Sequence, residues 1–359
     1  MVTLQGWSDR QGDRQQWYES DDKLFPAHHQ PAILIDMLRS RDICSHKILR
    51  GTGVFYEDIL GGQSLLSEAQ GLTLATNASK LNDEPEMAFR WGASWWPGHY
   101  GAASGLLSHA CSLRDALQSL QDFRSTLCPW AIPHVVIDDR HCYIYWLNLS
   151  GSGAERFLTE AAMSAMTSYS RWMSGERLPW KYGFSYSRPA HDEQYQVNLG
   201  SDLWFGLGVD VMFIDRHWLD CSWSRGSATA WQVSRAECHA SITMPSVSLP
   251  EYVYRTLLQN IRQPFALPDM ADHLGMSSAT LKRKLGKHGC RFQQLQDQAR
   301  LQMSLYLLHV YGWNNEQVAD HLCFNDTTNF RRAFKRWVGV TPSDSRSHTN
   351  LFSGSELAG

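Results

Sequence analysis

Apolar residues near the end of the chain recur with a helical period. In "TTNFRRAFKRWV" (327–338), Phe330, Phe334 and Trp337 stand at i, i+4 and i+7, which predicts one buried stripe of an α-helix. Arg331, Arg332, Lys335 and Arg336 project away from that stripe. "SATLKRKLGK" (278–287) has the same build, with Leu281 and Leu285 on the apolar side and Lys282, Arg283, Lys284 and Lys287 on the basic one. A lone basic run of this kind is usually a solvated helix face, so what precedes each run decides its meaning.

The same device precedes both. "LPDMADHLGMSS" (267–278) and "NEQVADHLCFND" (315–326) share an Ala-Asp-His-Leu segment, then a short turn, then residues suited to start a helix. In the first, Met270, Ala271 and Leu274 form the inner face of a short helix, Gly275 supplies the bend and Ser277 caps the next helix. In the second, Val318, Ala319 and Leu322 are the packing residues and either Asn325 or Asp326 is the cap. Two helices joined by a tight turn, the second one cationic, make a helix-turn-helix. Between the copies, "RFQQLQDQARLQMSLYLLHVYG" (291–312) places Leu295, Ala299, Met303, Tyr306 and Val310 on one helix face and reads as a spacer. A helix of about 18 residues spans about 27 Å. The major groove returns to the same side of a duplex after about 34 Å, so a rigid spacer of this length suits two helices in successive grooves.

Upstream the patterns are mixed. "PAILIDMLRSR" (31–41) and "SLRDALQSLQDFRSTL" (112–127) have helical spacing, the latter with Ser112 as cap. "HCYIYWLNL" (141–149) and "VDVMFID" (209–215) read as strands, giving an α+β body. "ITMPSVSLPE" (242–251) has the composition of a linker, and the polar ends read as flexible. The expected division is 1–25 flexible, 26–240 effector-sensing and dimerising, 241–250 linker, 251–346 DNA-binding and 347–359 tail.

Composition changes the picture in one respect. The net charge is −3, yet residues 251–349 carry thirteen Lys/Arg against eight Asp/Glu, a balance of +5. That asymmetry points to a polyanionic partner for one end only. Eight cysteines without paired spacing argue against a zinc site or a disulfide framework. No apolar run approaches the roughly 20 residues of a membrane span, and the polar start lacks a secretory core, so a cytoplasmic protein is expected. "GSGAER" (151–156) has Arg156 where a dinucleotide fingerprint needs its third glycine and reads as a loop. "GAASG" (101–105) is no nucleophile elbow. Trp91, Trp95, Trp96 and Tyr100 suit either a ligand cavity or plain core. No catalytic residue, cofactor or metal is expected.

Residues 251–346, with the trailing "RRAFKRWVGVTPSDSR", resemble the DNA-binding domain of the AraC/XylS family of bacterial transcription regulators. "LRGTGVFYEDI", "LATNASKLNDEPEMAFRWG" and "PGHYGAASGLLSHACSLRDAL" resemble, more loosely and to about Asp220, the arabinose-binding-like regulatory domain of one branch. The resemblance implies an α+β regulatory domain followed by an all-α domain with two helix-turn-helix motifs joined by a linker helix. It also implies base reading by Ala279, Lys282, Arg283, Thr327, Thr328, Arg331 and Arg332. Arginine and lysine can donate to guanine, and threonine can touch a thymine methyl. Lys284, Lys287, Lys335 and Arg336 are better suited to phosphates. The implied partners are double-stranded DNA, a small-molecule effector, a second copy of the chain and, for an activator, RNA polymerase. Two rival readings use the same motifs for docking: a DNA repair enzyme, whose acceptor Pro-Cys-His-Arg string is absent, and an adaptor for an acidic protein. Cys323 departs from the family's usual glycine. Either the turn keeps its left-handed geometry at a cost of about 1 kcal/mol, or it is shaped differently.

Overall fold

The computed structural model describes residues 17–348 other than 83, 148, 243, 244 and 246. They fall into two compact units, the first formed mainly by residues up to Ser248 and the second mainly by residues from Leu249.

The first unit is α+β. A short ladder pairs β1 (Phe25–Pro26) with β2 (Leu65–Leu66). The strands β3 (Ile132–Ile137), β4 (His141–Leu147), β5 (Lys181–Phe184), β6 (Leu203–Phe205) and β7 (Val211–Asp215) form one sheet in the order β3-β4-β7-β5-β6. Every residue of β4 is buried, which is why its sequence is a near-continuous apolar and aromatic run with no alternation. It pairs antiparallel with β3 and with β7, setting His141 opposite Asp215.

The main helices are α1 (Gln30–Arg39), α2 (Glu68–Leu81), α3 (Met87–Ala93), α4 (Ala102–His109), α5 (Leu113–Asp122), α6 (Glu155–Ser174) and α7 (Ala228–Ser241), with short helical segments between them, among them Asp192–Asn198. Pro31 sits in the first turn of α1, where its missing N–H costs nothing. The Ser112 hydroxyl accepts from the Asp115 amide and starts α5, whose Leu113, Ala116, Leu117 and Leu120 are buried. Buried on nearly all sides, α6 meets α3 at Gly92, where a Cβ would lie 1.9 Å from the Ala161 carbonyl oxygen. The first four residues of "GSGAER" are a loop with Gly151 and Gly153 at positive φ, whereas Glu155 and Arg156 open α6, with Arg156 hydrogen-bonded to Glu160, His191 and Tyr195.

Trp91, Trp95, Trp96 and Tyr100 are buried core. The Trp95 ring meets those of Trp91 and Trp96 edge to face, the Tyr100 hydroxyl donates to the Trp95 carbonyl, and the Trp91 and Trp96 indoles donate to the carbonyls of Gln30 and Leu127. Within the segment read as flexible, Tyr18 and Phe25 are buried. Their aromatic contacts run through to Trp130, and Tyr18 bridges to Ser248. The polar composition around these two rings concealed them. Residues 1–16 and 349–359 lie outside the described residues.

The second unit is all-α: α8 (Leu249–Gln259), α9 (Leu267–His273), α10 (Ser278–Lys287), α11 (Phe292–His309), α12 (Asn315–His321), α13 (Thr327–Val338) and α14 (Pro342–His348). The first residues of α8 lie in the stretch read as linker, with Pro250 in its first turn. What needs correction is the single buried face expected of the spacer helix α11, not the helix itself. The expected 18-residue helix forms, but Leu301, Leu305, Leu307 and Leu308 are buried beside the predicted stripe and join Val318, Ala319, Leu322, Phe330 and Phe334 in one apolar cluster. Helices pack on α11 from more than one side, so a one-faced pattern underestimates its burial.

Candidate nucleic-acid interface

Both motifs are built by one local mechanism. At the end of α9, Gly275 takes φ +64°; its amide donates to the Asp272 carbonyl at 3.0 Å and the Met276 amide to Ala271 at 2.9 Å. After α12, Cys323 takes φ +55°, its amide donates to Asp320 at 3.1 Å and the Phe324 amide to Ala319 at 2.9 Å. The second turn therefore keeps the left-handed geometry of the first with an L-residue in place, resolving the alternatives left by the sequence.

Caps then start the second helices. The Ser277 hydroxyl accepts from the Thr280 amide at 3.1 Å to begin α10. Asp326, not Asn325, caps α13: its Oδ1 accepts from the Asn329 amide at 2.6 Å and its Oδ2 from the Asn329 side chain at 2.9 Å. Leu281 and Leu285 seat α10, while Phe330, Ala333 and Phe334 seat α13. The basic face of each helix is consequently turned outward.

Of the residues expected to meet bases, Ala279, Lys282, Arg283, Thr328, Arg331 and Arg332 are exposed, and Thr327 is half-buried in the first turn of α13. Of those expected at phosphates, Lys287 and Lys335 are exposed and Lys284 is half-buried. Arg336 is exposed but engaged: its Nη2 lies 3.1 Å from Oδ2 of Asp297 on α11.

The sequence reading missed the groups that brace these helices. Asp297 and Arg300 lie one turn apart on α11, and the Arg300 guanidinium sits 5.2 Å from the centroid of the Phe324 ring. Burial lowers the Arg300 pKa, against the opposing influence of Asp297 and Cys323. Arg346 of α14 donates to the Trp313 carbonyl at 2.9 Å and to the Asn315 side chain at 2.7 Å, fixing the entry to α12. An Asp-x-x-Arg pair on a helix is a visible signal, but its partners are not visible from spacing. Among the described residues no group of three or more His, Cys, Asp or Glu could hold a metal ion, and none of the eight cysteines is in a disulfide.

The sequence model described as the arabinose-binding domain of AraC transcription regulators matches residues 45–222, and one for a helix-turn-helix domain matches residues 270–348. The ornithine utilization regulator of Pseudomonas aeruginosa is 26% identical over 332 residues, covering 90% of this chain and 96% of that protein. The regulator VqsM of the same organism is 32% identical over 82 residues, 23% of this chain and 25% of that protein. The crystal structure of the P. aeruginosa transcriptional regulator CdpR aligns over 89% of this chain and 98% of its own, with 18% identity and a TM-score of 0.42.

Proposed function

The chain belongs to the AraC/XylS family of transcription regulators, with an arabinose-binding-like N-terminal domain, and we propose that α10 and α13 read successive major grooves of one operator. The observation that carries this reading is the pairing of two capped, outward-facing basic helices whose turns share one hydrogen-bond pattern. Support for the spacing comes from α11, whose 18 residues give about 27 Å between the motif bodies.

In this reading Ala279, Lys282, Arg283, Thr327, Thr328, Arg331 and Arg332 face bases, and Lys284, Lys287 and Lys335 hold phosphates. Arg336 enters it already paired with Asp297. The N-terminal unit takes a small-molecule effector and pairs with a second copy. The chain acts in the cytoplasm, without catalysis, and contacts RNA polymerase if it activates. No described helix is long and apolar enough to cross a membrane.

Selection of duplexes from a random pool, followed by fluorescence anisotropy on the enriched and a scrambled duplex, tests the reading. A preference of about 10³-fold or more at physiological salt is expected, and equal affinity would overturn it. Arg331→Ala and Arg332→Ala should each relax discrimination at one position by about 1–3 kcal/mol. A thermal-shift screen tests effector binding, with ornithine an early candidate because the relative is named for its utilisation. A ligand at about 100 times its Kd stabilises by about 2.7 kcal/mol.

A further inference from the structure

We infer that Asp297 is a positioning residue for the second recognition helix, pinning the last turn of α13 to α11 through Arg336 and thereby withholding Arg336 from the phosphates. This rests on the two-groove reading and narrows it, because Arg336 by charge alone would be counted with Lys335.

The geometry converges on one spot. Asp297 Oδ2 faces Arg336 Nη2 at 3.1 Å, while its Oδ1 accepts from Gln293 at 3.1 Å, so both carboxylate oxygens are engaged. One turn on, Arg300 lies over Phe324, and the Phe324 ring stands 6.1 Å from Trp337, the neighbour of Arg336. Two residues one turn apart on α11 therefore act on the same turn of α13, one by charge and one through an aromatic relay. The other end of α13 is already fixed by the turn at Cys323 and the Asp326 cap. A helix held at both ends has a set axis, and that axis decides which base edges Arg331 and Arg332 can reach.

Stability is a poor explanation for the pair. The Arg336 side chain is 65% exposed and that of Asp297 22%, and ion pairs this open contribute little to folding. A carboxylate facing a polyanion also costs affinity unless it does something else. Here it orients: with Arg336 neutralised by Asp297, the charges left toward the backbone at this end are those that can move without turning the helix.

The test uses the full chain, the selected duplex and a scrambled duplex, with anisotropy titrations between about 50 and 200 mM salt. Lys335→Gln should lower the slope of log K against log salt by about 0.9. Arg336→Gln should leave the slope unchanged, yet reduce the selected-over-scrambled ratio several-fold. Asp297→Asn should reduce that ratio by the same factor, the double variant no further, and Asp297→Glu should retain most of it. Without DNA, D297N and R336Q should each speed amide exchange at 334–339 and leave 278–287 unchanged. A slope that falls by about 0.9 in R336Q, losses that multiply in the double variant, or unaltered exchange at 334–339 would each overturn the assignment. A parent chain that prefers no duplex, with the exchange changes present, would instead sink the two-groove reading and leave the pin standing.

Discussion

Replacing Cys323 by glycine should stabilise the second motif, and replacing Gly275 by alanine should destabilise the first by a similar amount. The two turns share their hydrogen bonds within 0.1 Å and their φ values are +55° and +64°, so they form a natural matched pair. A left-handed L-residue costs about 1–2 kcal/mol. Glycine removes that strain but adds unfolded-state entropy, which returns about 0.4–1 kcal/mol. The difference leaves C323G more stable by about 0.5–1 kcal/mol. For G275A the same terms reverse sign; no heavy atom lies within 4 Å of where the new Cβ would sit, so no steric term is added. Hydrogen exchange on the intact chain isolates the effect from the other unit. Protection across 315–338 should rise about two- to fivefold in C323G, and across 267–287 it should fall by a similar factor in G275A. A loss of protection in C323G, or an unchanged G275A, would refute the claim that backbone strain dominates at these turns.

Phe334→Ala should cost about 3–5 kcal/mol, because the ring is fully buried against Phe330, and circular dichroism should show lost helix together with lost DNA binding. Arg346→Ala removes two hydrogen bonds that hold the start of α12; a loss of about 2 kcal/mol is expected by hydrogen exchange over 313–322, with Arg346→Lys recovering only part because lysine lacks the fork. Burial, and then Arg346, lower the His309 pKa to about 4. Its unfolded imidazole takes a proton near pH 6.5 and the folded one only near 4, so stability is complete above about pH 6.5 and falls below it, by up to about 1.4 kcal/mol per pH unit. Urea midpoints at pH 7, 6 and 5 should therefore drop more steeply for the parent than for His309→Gln, and parallel curves would refute this.

Much of the candidate interface was legible because its signals are local. Caps lie three residues from the amides they bind, the apolar stripes of α10 and α13 repeat every three or four residues, and the two motifs repeat each other. What was not legible depends on residues distant in sequence. Asp297 and Arg336 are 39 positions apart, and nothing in either segment marks the pair. Tyr18, beside Trp17, sits in an otherwise polar stretch with no period to mark an element, so its contact with Phe25 and its bridge to Ser248 reveal that the chain is folded there. At Cys323 the sequence left two geometries open, and the backbone, at φ +55°, decided between them.

The burial of α11 bears on how the motifs keep their distance. A spacer exposed on most sides could bend or lengthen without disturbing what it connects. Instead the C-terminal half of α11 supplies Leu301, Leu305, Leu307 and Leu308 to the core that seats α13. Upstream, α8 packs along α11 and reaches α10, and the buried Tyr254 hydroxyl of α8 donates to Gln302 of α11. The first motif thus reaches α11 through α8, and the second rests on α11 directly. Any change in the axis of α11 would have to break core contacts of the motifs as well as tilt one against the other. Since close-packed interiors resist such deformation, the separation of the two basic helices is fixed by the same apolar contacts that fold the unit.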